Sequence, residues 1–259
     1  MRALLLVVTV GGAGCSVPGI VLPSGPGVPA PDAASAWTQA SASCRGAKTY
    51  QAEFHVSGRV NGQRLHGTLQ GAVTAADEIY LLMPAPIGSP VFVLQGTGEA
   101  ATLLLPHDNR LVTGRADDII EALTGLKQGP RQLLAILTGC VGQSSDMIAG
   151  LRYGAWLKIA TNDATTYLEQ RDRRWAVVAG EVSGLIVGYR TIEGNWPRAL
   201  QVESAPGRAP VVALTIGLDQ LGVNDLKTPV SAMALKIPTG AMPMTLEELR
   251  AIGPLREGR

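Results

Sequence analysis

The alternation of apolar and polar residues around Asn61-Gly62 constrains this chain more than any other feature. Residues 50–60 and 63–73 both alternate with a period of two, which predicts two half-buried strands. Asn-Gly is the strongest two-residue signal for a hairpin turn. A two-residue turn also fixes the register, so Phe54 and Leu69 are expected to face each other on the apolar side of the hairpin.

More strands are predicted at short intervals along the rest of the chain. Apolar runs alternate with turns rich in Gly, Asn and Asp, which is typical of a meander. The predicted strands cover residues 78–83, 90–95, 100–105, 110–113, 155–160, 165–171, 175–180, 185–190, 199–204, 211–218 and 233–237. We expect one domain with a single antiparallel sheet of about eleven strands, which has to curl or close at that size.

Two short amphipathic helices interrupt the strands, and together they are called the lid (residues 116–138). The first carries an apolar stripe and the second begins at Gly129-Pro130. The stripe residues are Ile119, Ile120, Leu123, Leu126, Leu133, Leu134 and Leu137. Another helix is predicted from Asp32, which would cap it, and a last one from Thr245.

The beginning of the chain has the pattern of a secretory signal. Arg2 precedes a short apolar run at residues 3–10, and small residues lead to Cys15. We expect residues 1–14 to be a signal peptide and Cys15 to be lipidated, as in bacterial lipoproteins. The alternative is an ordinary signal peptide with an incidental cysteine. Residues 15–31 are rich in Pro and Gly, which predicts a semi-extended tether.

Composition excludes some classes of protein. The net charge of +1 gives no broad field to attract nucleic acid. Hydrophobic residues make up 46% of the chain, yet no later run reaches the about 18 residues of a membrane helix. These residues must therefore form a core, a cavity or a docking surface. Cys44 and Cys140 are either a disulfide, as an oxidising compartment permits, or two separately buried thiols.

Several stretches resemble a known family when they are taken in order. Residues 81–94 carry Pro86-Ile87-Gly88-Ser89, and Leu123-Thr124-Gly125 lies in the first lid helix. Residues 131–139 and 188–200 match a leucine-rich second lid helix and a late pair of strands. These stretches resemble the LolA/LolB lipoprotein-carrier superfamily, especially its LolB-like outer-membrane receptors.

The resemblance implies an open, curved half-barrel with short helices covering the concave face. The domain would span residues 32–240, followed by a C-terminal helix and tail at 241–259. Family members hold acyl chains between sheet and helices and insert lipoproteins into the outer membrane. The resemblance makes Ile87 the membrane-insertion residue. It also makes the lid stripe and the sheet residues facing it candidates for lining the cavity; the sheet residues are Phe54, Leu69, Leu81, Met83, Phe92 and Leu94.

Two points about these residues stay open in the sequence. The lid stripe is either plain core or the wall of a cavity, and Ile87 either points outward or folds back. The resemblance implies a lipid-anchored protein on the periplasmic face of the outer membrane. It would bind acylated lipoprotein or lipid and interact with a LolA-like carrier. We expect a monomer. The alternatives are a structural or assembly scaffold and a carrier of another lipid or glycolipid.

Catalysis, cofactors and metals are not expected. The sequence has no Gly-x-Ser-x-Gly elbow, no P-loop and no dinucleotide fingerprint after a strand. His55 and His66 lie on the polar face of the hairpin as diagonal neighbours, without an evident third ligand. We therefore expect a non-catalytic protein.

Overall fold

The computed structural model describes residues 19–142, 147–233 and 235–256. The predicted signal peptide and Cys15 lie outside these ranges, so their assignment stays a prediction. Among the described residues, no helix combines the length and the apolar character that crossing a membrane requires.

The described strands form a single sheet, and the predicted open, curved, antiparallel half-barrel is confirmed, with fifteen strands where about eleven were expected. In chain order the strands are β1 (Val28–Pro29), β2 (Thr49–Val60), β3 (Gln63–Thr74), β4 (Glu78–Met83), β5 (Phe92–Thr97), β6 (Ala101–Leu105), β7 (Arg110–Gly114), β8 (Met147–Tyr153), β9 (Trp156–Thr161), β10 (Ala164–Arg171), β11 (Arg174–Val182), β12 (Leu185–Glu193), β13 (Trp196–Ser204), β14 (Val212–Val223) and β15 (Met242–Pro243).

The strand order is β1-β8-β9-β10-β11-β12-β13-β14-β2-β3-β4-β5-β6-β7-β15. All neighbours are antiparallel except β15 with β7. The predicted hairpin is confirmed, since Phe54 pairs with Leu69 and His66 with Ser57. The chain therefore makes two meanders, joined in the middle of the sheet where β14 pairs with β2.

The strand predictions failed in two kinds of place. β1, β8 and β15 were not predicted. β1 and β15 are only two residues long. β8 contains Gly150 and its first half is exposed, so its alternation of apolar and polar residues is weak. The predicted strand at 233–237 is wrong for its described residues. A short 3₁₀ turn at Val230–Ala232 precedes them, and no strand of the described chain includes them. Sheet pairing depends on distant partners, which local pattern does not show.

Four α-helices pack on the sheet: α1 (Ala33–Arg45), α2 (Ala116–Thr124), α3 (Pro130–Thr138) and α4 (Leu246–Ile252). α1 lies over β8–β11, α3 lies over β3, β4 and β13, and α2 packs beside α4. Asp32 precedes α1 as predicted, but its side chain makes no capping hydrogen bond. It accepts hydrogen bonds of 2.8 and 2.6 Å from Arg152 instead, and this bond lowers the pKa of the Asp32 carboxyl.

The concave face carries two separate hydrophobic clusters. The larger cluster lies under the lid and is centred on fully buried residues such as Phe92, Leu94 and Ile119. The smaller cluster lies under α1, where Trp37 packs with buried residues of β9 and β10. Val177 of β11 packs against both. The seam between the clusters therefore runs along β11, between α1 and α3.

The C-terminal segment is part of the main domain in this structure. Met244, Leu249 and Leu255 are buried in the larger cluster, and α4 begins with the predicted Thr245 cap, whose hydroxyl accepts a hydrogen bond of 3.1 Å from the Glu248 amide. Burial of these three side chains stabilises the half-barrel.

The N-terminal segment also packs on the sheet. Residues 19–29, called the strap, cross the convex face and reach β8, where Val28 pairs with Arg152. Leu22 packs against Tyr167 and its neighbours, and Gly27 lies close to the ring of Tyr153. Over its described residues the predicted tether lies against the domain.

Two buried tyrosines give a matched test of the packing under the lid. Burial raises the pKa of both Tyr50 and Tyr189, but only the Tyr189 hydroxyl has a partner, donating 2.9 Å to the carbonyl of Ile136. Tyr189→Phe is expected to lower the free energy of unfolding by ~1 kcal/mol, since a buried hydrogen bond is lost. Tyr50→Phe is expected to leave it unchanged or raise it. Urea unfolding of both variants checks this, and an equal loss in both would contradict it.

Candidate ligand-binding cleft

A cleft of about 750 Å³ opens between α1 and α3 on the concave face. It is larger than two other clefts on the described surface, of about 340 and 270 Å³. Ala40 of α1 lines one side, and Trp175, Val177 and Ile192 of the sheet line it as well. The cleft lies at the seam between the two hydrophobic clusters, because both clusters meet Val177.

The mouth of the cleft is polar, and its wall combines polar side chains with an apolar strip at Trp175, Val177 and Ile192. The hairpin tips at Asp172 and Gly194-Asn195 border it, together with the exposed Arg171 and Arg174. Val177 and Ile192 are half-buried. An apolar strip within a largely polar cleft suits a ligand that has a hydrophobic chain and a hydrated head.

A disulfide between Cys44 and Cys140 closes one side of the cleft. The two Cα atoms lie 5.6 Å apart, with Cys44 in the last turn of α1 and Cys140 directly after α3. Gly139 ends α3 in the left-handed conformation, with φ of 76°, which turns the chain toward α1. Of the two alternatives for these cysteines, the structure has the bridge. The bridge ties together the helices on either side of the cleft.

An arginine on β8 supports the α1 side of the cleft. Arg152 holds Asp32 at the start of α1, and its guanidinium lies 5.7 Å from the centre of the Trp175 ring. The Trp175 amide in turn donates 3.2 Å to the side chain of Gln39 on α1. These contacts hold Trp175 in place at the border of the cleft. The guanidinium contributes because a cation over the face of an aromatic ring is attracted to that ring electrostatically.

The residues predicted to line a cavity lie in the larger cluster and not in the cleft. The buried ones are Phe54, Leu69, Phe92, Leu94, Ile119, Ile120, Leu123, Leu134 and Leu137. The partly buried ones are Leu81, Met83, Leu126 and Leu133. The structure thus brings together sheet and lid as the sequence predicted, but in a packed cluster. Contact of these residues with a ligand stays a prediction.

Ile87 points outward at the tip of the loop between β4 and β5. Its side chain is 89% exposed, and the loop is stiffened by Pro84, Pro86 and Pro90. His107 Nε2 lies 2.9 Å from the carbonyl of Ser89, which ties the loop to the next turn. An exposed isoleucine on a stiff loop presents an apolar tip to whatever surrounds the domain.

His55 on the hairpin makes ordinary surface contacts. His55 Nε2 lies 3.1 Å from Asp219 Oδ2 and 3.4 Å from Glu53 Oε1, and its Nδ1 lies 3.1 Å from the hydroxyl of Thr68. Within the described ranges, no group of three or more His, Cys, Asp and Glu side chains could hold a metal ion.

In the sequence, Trp175, Val177 and Ile192 lie in or beside predicted strands and carry no sign of a role at a site. No local signal distinguishes them, because the cleft exists only where α1 and α3 leave the sheet uncovered. The cysteines were the one useful indication, since a bridge between the first helix and the end of the lid brings those elements together.

Among known proteins, only solved structures are similar to this chain. No protein-family model and no curated protein matches the sequence. A LolA superfamily protein from Nitrosomonas europaea matches at 9% identity and a TM-score of 0.51, over 78% of this chain and 97% of that one. A DUF1329 family protein from Desulfovibrio piger matches at 10% identity and a TM-score of 0.47, over 76% and 95%.

A third match is the lipoprotein LppX of Mycobacterium tuberculosis, at 9% identity and a TM-score of 0.31, over 80% of this chain and 99% of that one. At such identities the similarity concerns the fold alone. It rests on the Nitrosomonas europaea protein, whose TM-score is 0.51. The chain has the fold of LolA superfamily proteins, as its motifs predicted.

Proposed function

We propose that this protein is a lipid-anchored carrier or receptor that holds the acyl chain of a lipoprotein or lipid in the cleft between α1 and α3. The cleft itself is the observation that carries the proposal. Its volume of about 750 Å³ lies within the ~300–1,000 Å³ of ligand pockets in proteins. Its apolar strip, set among polar side chains, matches an amphiphile.

Transfer of such a ligand needs no chemical step. Each buried methylene contributes roughly 0.8 kcal/mol, so a chain of several methylenes moves to whichever protein or membrane buries it best. The protein acts here as a non-catalytic binding site. A periplasmic carrier with the same fold is the partner we propose, and the working form is a monomer.

The proposal includes the anchor predicted from the sequence. Removal of residues 1–14 leaves Cys15 as the lipidated residue, on the periplasmic face of the outer membrane. The exposed Ile87 is the residue proposed to enter lipid during insertion, where burial of such a side chain gives roughly 1.5–3 kcal/mol.

A scaffold for envelope assembly is the second candidate function. The packing under the lid favours it, because Ile119, Leu94 and Phe92 are fully buried in one cluster. In that case the cleft is a groove without a ligand. A carrier of a glycolipid or another lipid is a variant of the main proposal and uses the same cleft.

A charge placed on the cleft wall tests the proposal. Ile192→Asp is expected to weaken binding of a fluorescent fatty acid by at least about tenfold, because an apolar contact worth ~1.5 kcal/mol or more is replaced by a carboxylate. The same change at Ile148, which is 64% exposed on β8 and does not line the cleft, is the control and should leave binding unchanged.

Fluorescence titration and native mass spectrometry provide the two readouts. Equal affinities in the two variants would contradict the cleft as the site. Absence of any bound acyl chain in wild type, by both methods, would favour the scaffold.

A further inference from the structure

We propose that the convex face of the sheet carries a second binding site, which takes a neutral saccharide. The site is the cleft of about 340 Å³ that β2, β3 and β4 form with Met233; it is called the convex cleft. It lies on the opposite face of the sheet from the cleft between α1 and α3. The inference goes beyond the proposed function and does not depend on it.

Strand alternation places one wall of the convex cleft on that face. Phe54 and Leu69 point into the larger cluster on the concave face. Their neighbours Glu53 and Gln70 pair with each other and point the other way. Gln70 also pairs with Leu82 of β4. The side chains of these three convex residues therefore form a line across β2, β3 and β4.

A second line of side chains runs beside the first. Gln51, Ala72 and Tyr80 are paired in that order across the same three strands. Ala72 is small and lies between two long side chains, whose strands are about 10 Å apart. Gly222 pairs with Gln51 on its other side, and an added Cβ there would be 2.7 Å from the side-chain nitrogen of Gln51. The glycine thus makes room for the glutamine, and the alanine leaves a depression in the sheet surface.

A β-bulge adds another polar side chain. The pairing of β14 with β2 shifts between Asp219 and Gly222. Gln220 lies in this interval with φ of 49° and lines the convex cleft. This left-handed conformation is unfavourable for a residue with a Cβ. Bulges re-aim side chains and are over-represented next to active sites, so the position of Gln220 is typical of a binding surface.

The chain after β14 closes another side of the convex cleft. Gln95 of β5 donates a hydrogen bond of 2.8 Å to the carbonyl of Val230. Val230 is buried, and its 3₁₀ turn packs against β4 and β5. Met233 follows this turn and lines the convex cleft. One wall is therefore apolar, and the methionine can adapt to the shape of a ligand.

The polar lining has hydrogen-bonding capacity to spare. In the part of the chain that the structure describes, the side chains of Gln51, Tyr80 and Gln220 have no hydrogen-bond partner, and Gln51 and Tyr80 are half-buried. Gln70 donates 3.1 Å to Glu53, whose carboxylate has room for further donors. Each amide and hydroxyl both donates and accepts. A hydroxyl-rich ligand matches this lining, because each of its hydroxyl groups does the same.

The charge of the lining disfavours anions. Among the described residues that line the convex cleft, Glu53 is the one charged side chain, so phosphates and carboxylates meet repulsion without a compensating cation. Leu82, Met233 and the ring of Tyr80 offer apolar contact to the C–H groups of a sugar ring. These features together favour a neutral saccharide.

The position of the convex cleft in the sheet disfavours a peptide. Peptides commonly bind a sheet by adding a strand at a free edge. β2, β3 and β4 lie in the middle of the strand order and have neighbours on both sides. Their backbone groups are used in the sheet, and the side chains are left to recognise the ligand.

Side-chain amide signals provide a direct readout of the site. ¹H–¹⁵N spectra of the purified protein are recorded with two neutral disaccharides, maltose and N,N′-diacetylchitobiose. At least one sugar is expected to shift the side-chain amide signals of Gln51, Gln70 and Gln220. Gln39, which lines the cleft between α1 and α3, should not respond. Shifts at Gln39 without the other three, or no shift with either sugar up to its solubility limit, would overturn the site.

Two variants and a matched control test the assignment. Glycine adopts the left-handed conformation freely, so Gln220→Gly is expected to weaken sugar binding about fivefold without lowering the urea midpoint of unfolding. Gln51→Leu should weaken binding by a similar factor. Gln63→Leu makes the same change at an exposed position of β3 outside the convex cleft, and it should leave binding unchanged. Equal affinities in wild type and both cleft variants would overturn the proposal.

The same sugar chemistry occurs in a glycan strand and in the head of a glycolipid. Glucose and octyl glucoside below its micelle concentration separate these sources. A glycolipid head predicts at least about tenfold tighter binding of octyl glucoside, because the alkyl chain adds apolar burial. A glycan strand predicts similar affinities, and either result supports a saccharide site. Tighter binding of glucuronate than of glucose would overturn the assignment to a neutral sugar.

Discussion

Replacing both Cys44 and Cys140 with serine is expected to lower the free energy of unfolding by about 4–5 kcal/mol. The two residues are 96 positions apart, and a bridge that closes a loop of about 100 residues removes that much entropy from the unfolded chain in the loop-entropy model. A domain with a total stability of ~5–15 kcal/mol then becomes marginal. Urea unfolding followed by circular dichroism measures the loss.

The double-serine variant is expected to fold, because Trp37 and its cluster hold α1 on the sheet without the bridge. Wild-type protein treated with a reductant provides the control and should lose the same amount. A loss of less than ~1 kcal/mol in both would contradict the idea that the bridge stabilises the domain.

Ile119→Ala is expected to lower the free energy of unfolding by about 2–5 kcal/mol. Ile119 is fully buried under the lid, and removing methyl groups from a packed core costs both their transfer energy and the cavity left behind. Ile192→Ala is the control. Because Ile192 is half-buried and borders the cleft, its truncation opens no new cavity and should cost about 1 kcal/mol.

Urea unfolding of the two alanine variants also tests whether the lid covers a core or a void. Equal small losses of unfolding free energy would mean that Ile119 already faces empty space. The cavity expected under the lid from the sequence would then be the better binding site. A clearly larger loss for Ile119 supports the packed lid and leaves the cleft as the site.

The sequence predicted the parts of the fold that depend on local pattern. Asn61-Gly62 and the alternation around it gave the register of Phe54 with Leu69, and the stripe through Ile119 and Leu123 gave a buried helix face. β8 and the predicted strand at 233–237 show the limit, since pairing with a distant neighbour decides whether a short segment becomes a strand.

The candidate site was not predictable to the same degree. Val177 and Ile192 look like ordinary strand residues, and what makes them special is the gap left by α1 and α3. The docking of the strap is also non-local, because the Pro/Gly-rich stretch indicates only an extended chain. Gly188 is unremarkable in sequence, and only the structure shows Ile20 lying against it.

The most direct test of the account is to locate a bound acyl chain. Isotope-filtered nuclear Overhauser spectra of the protein with a ¹³C-labelled fatty acid report which methyl groups lie beside the chain. Contacts to Val177 and Ile192 are expected, with none to Ile119 or Leu94. Contacts to Ile119 and Leu94 instead, or a saturated complex with contacts to neither pair, would contradict the cleft as the binding site.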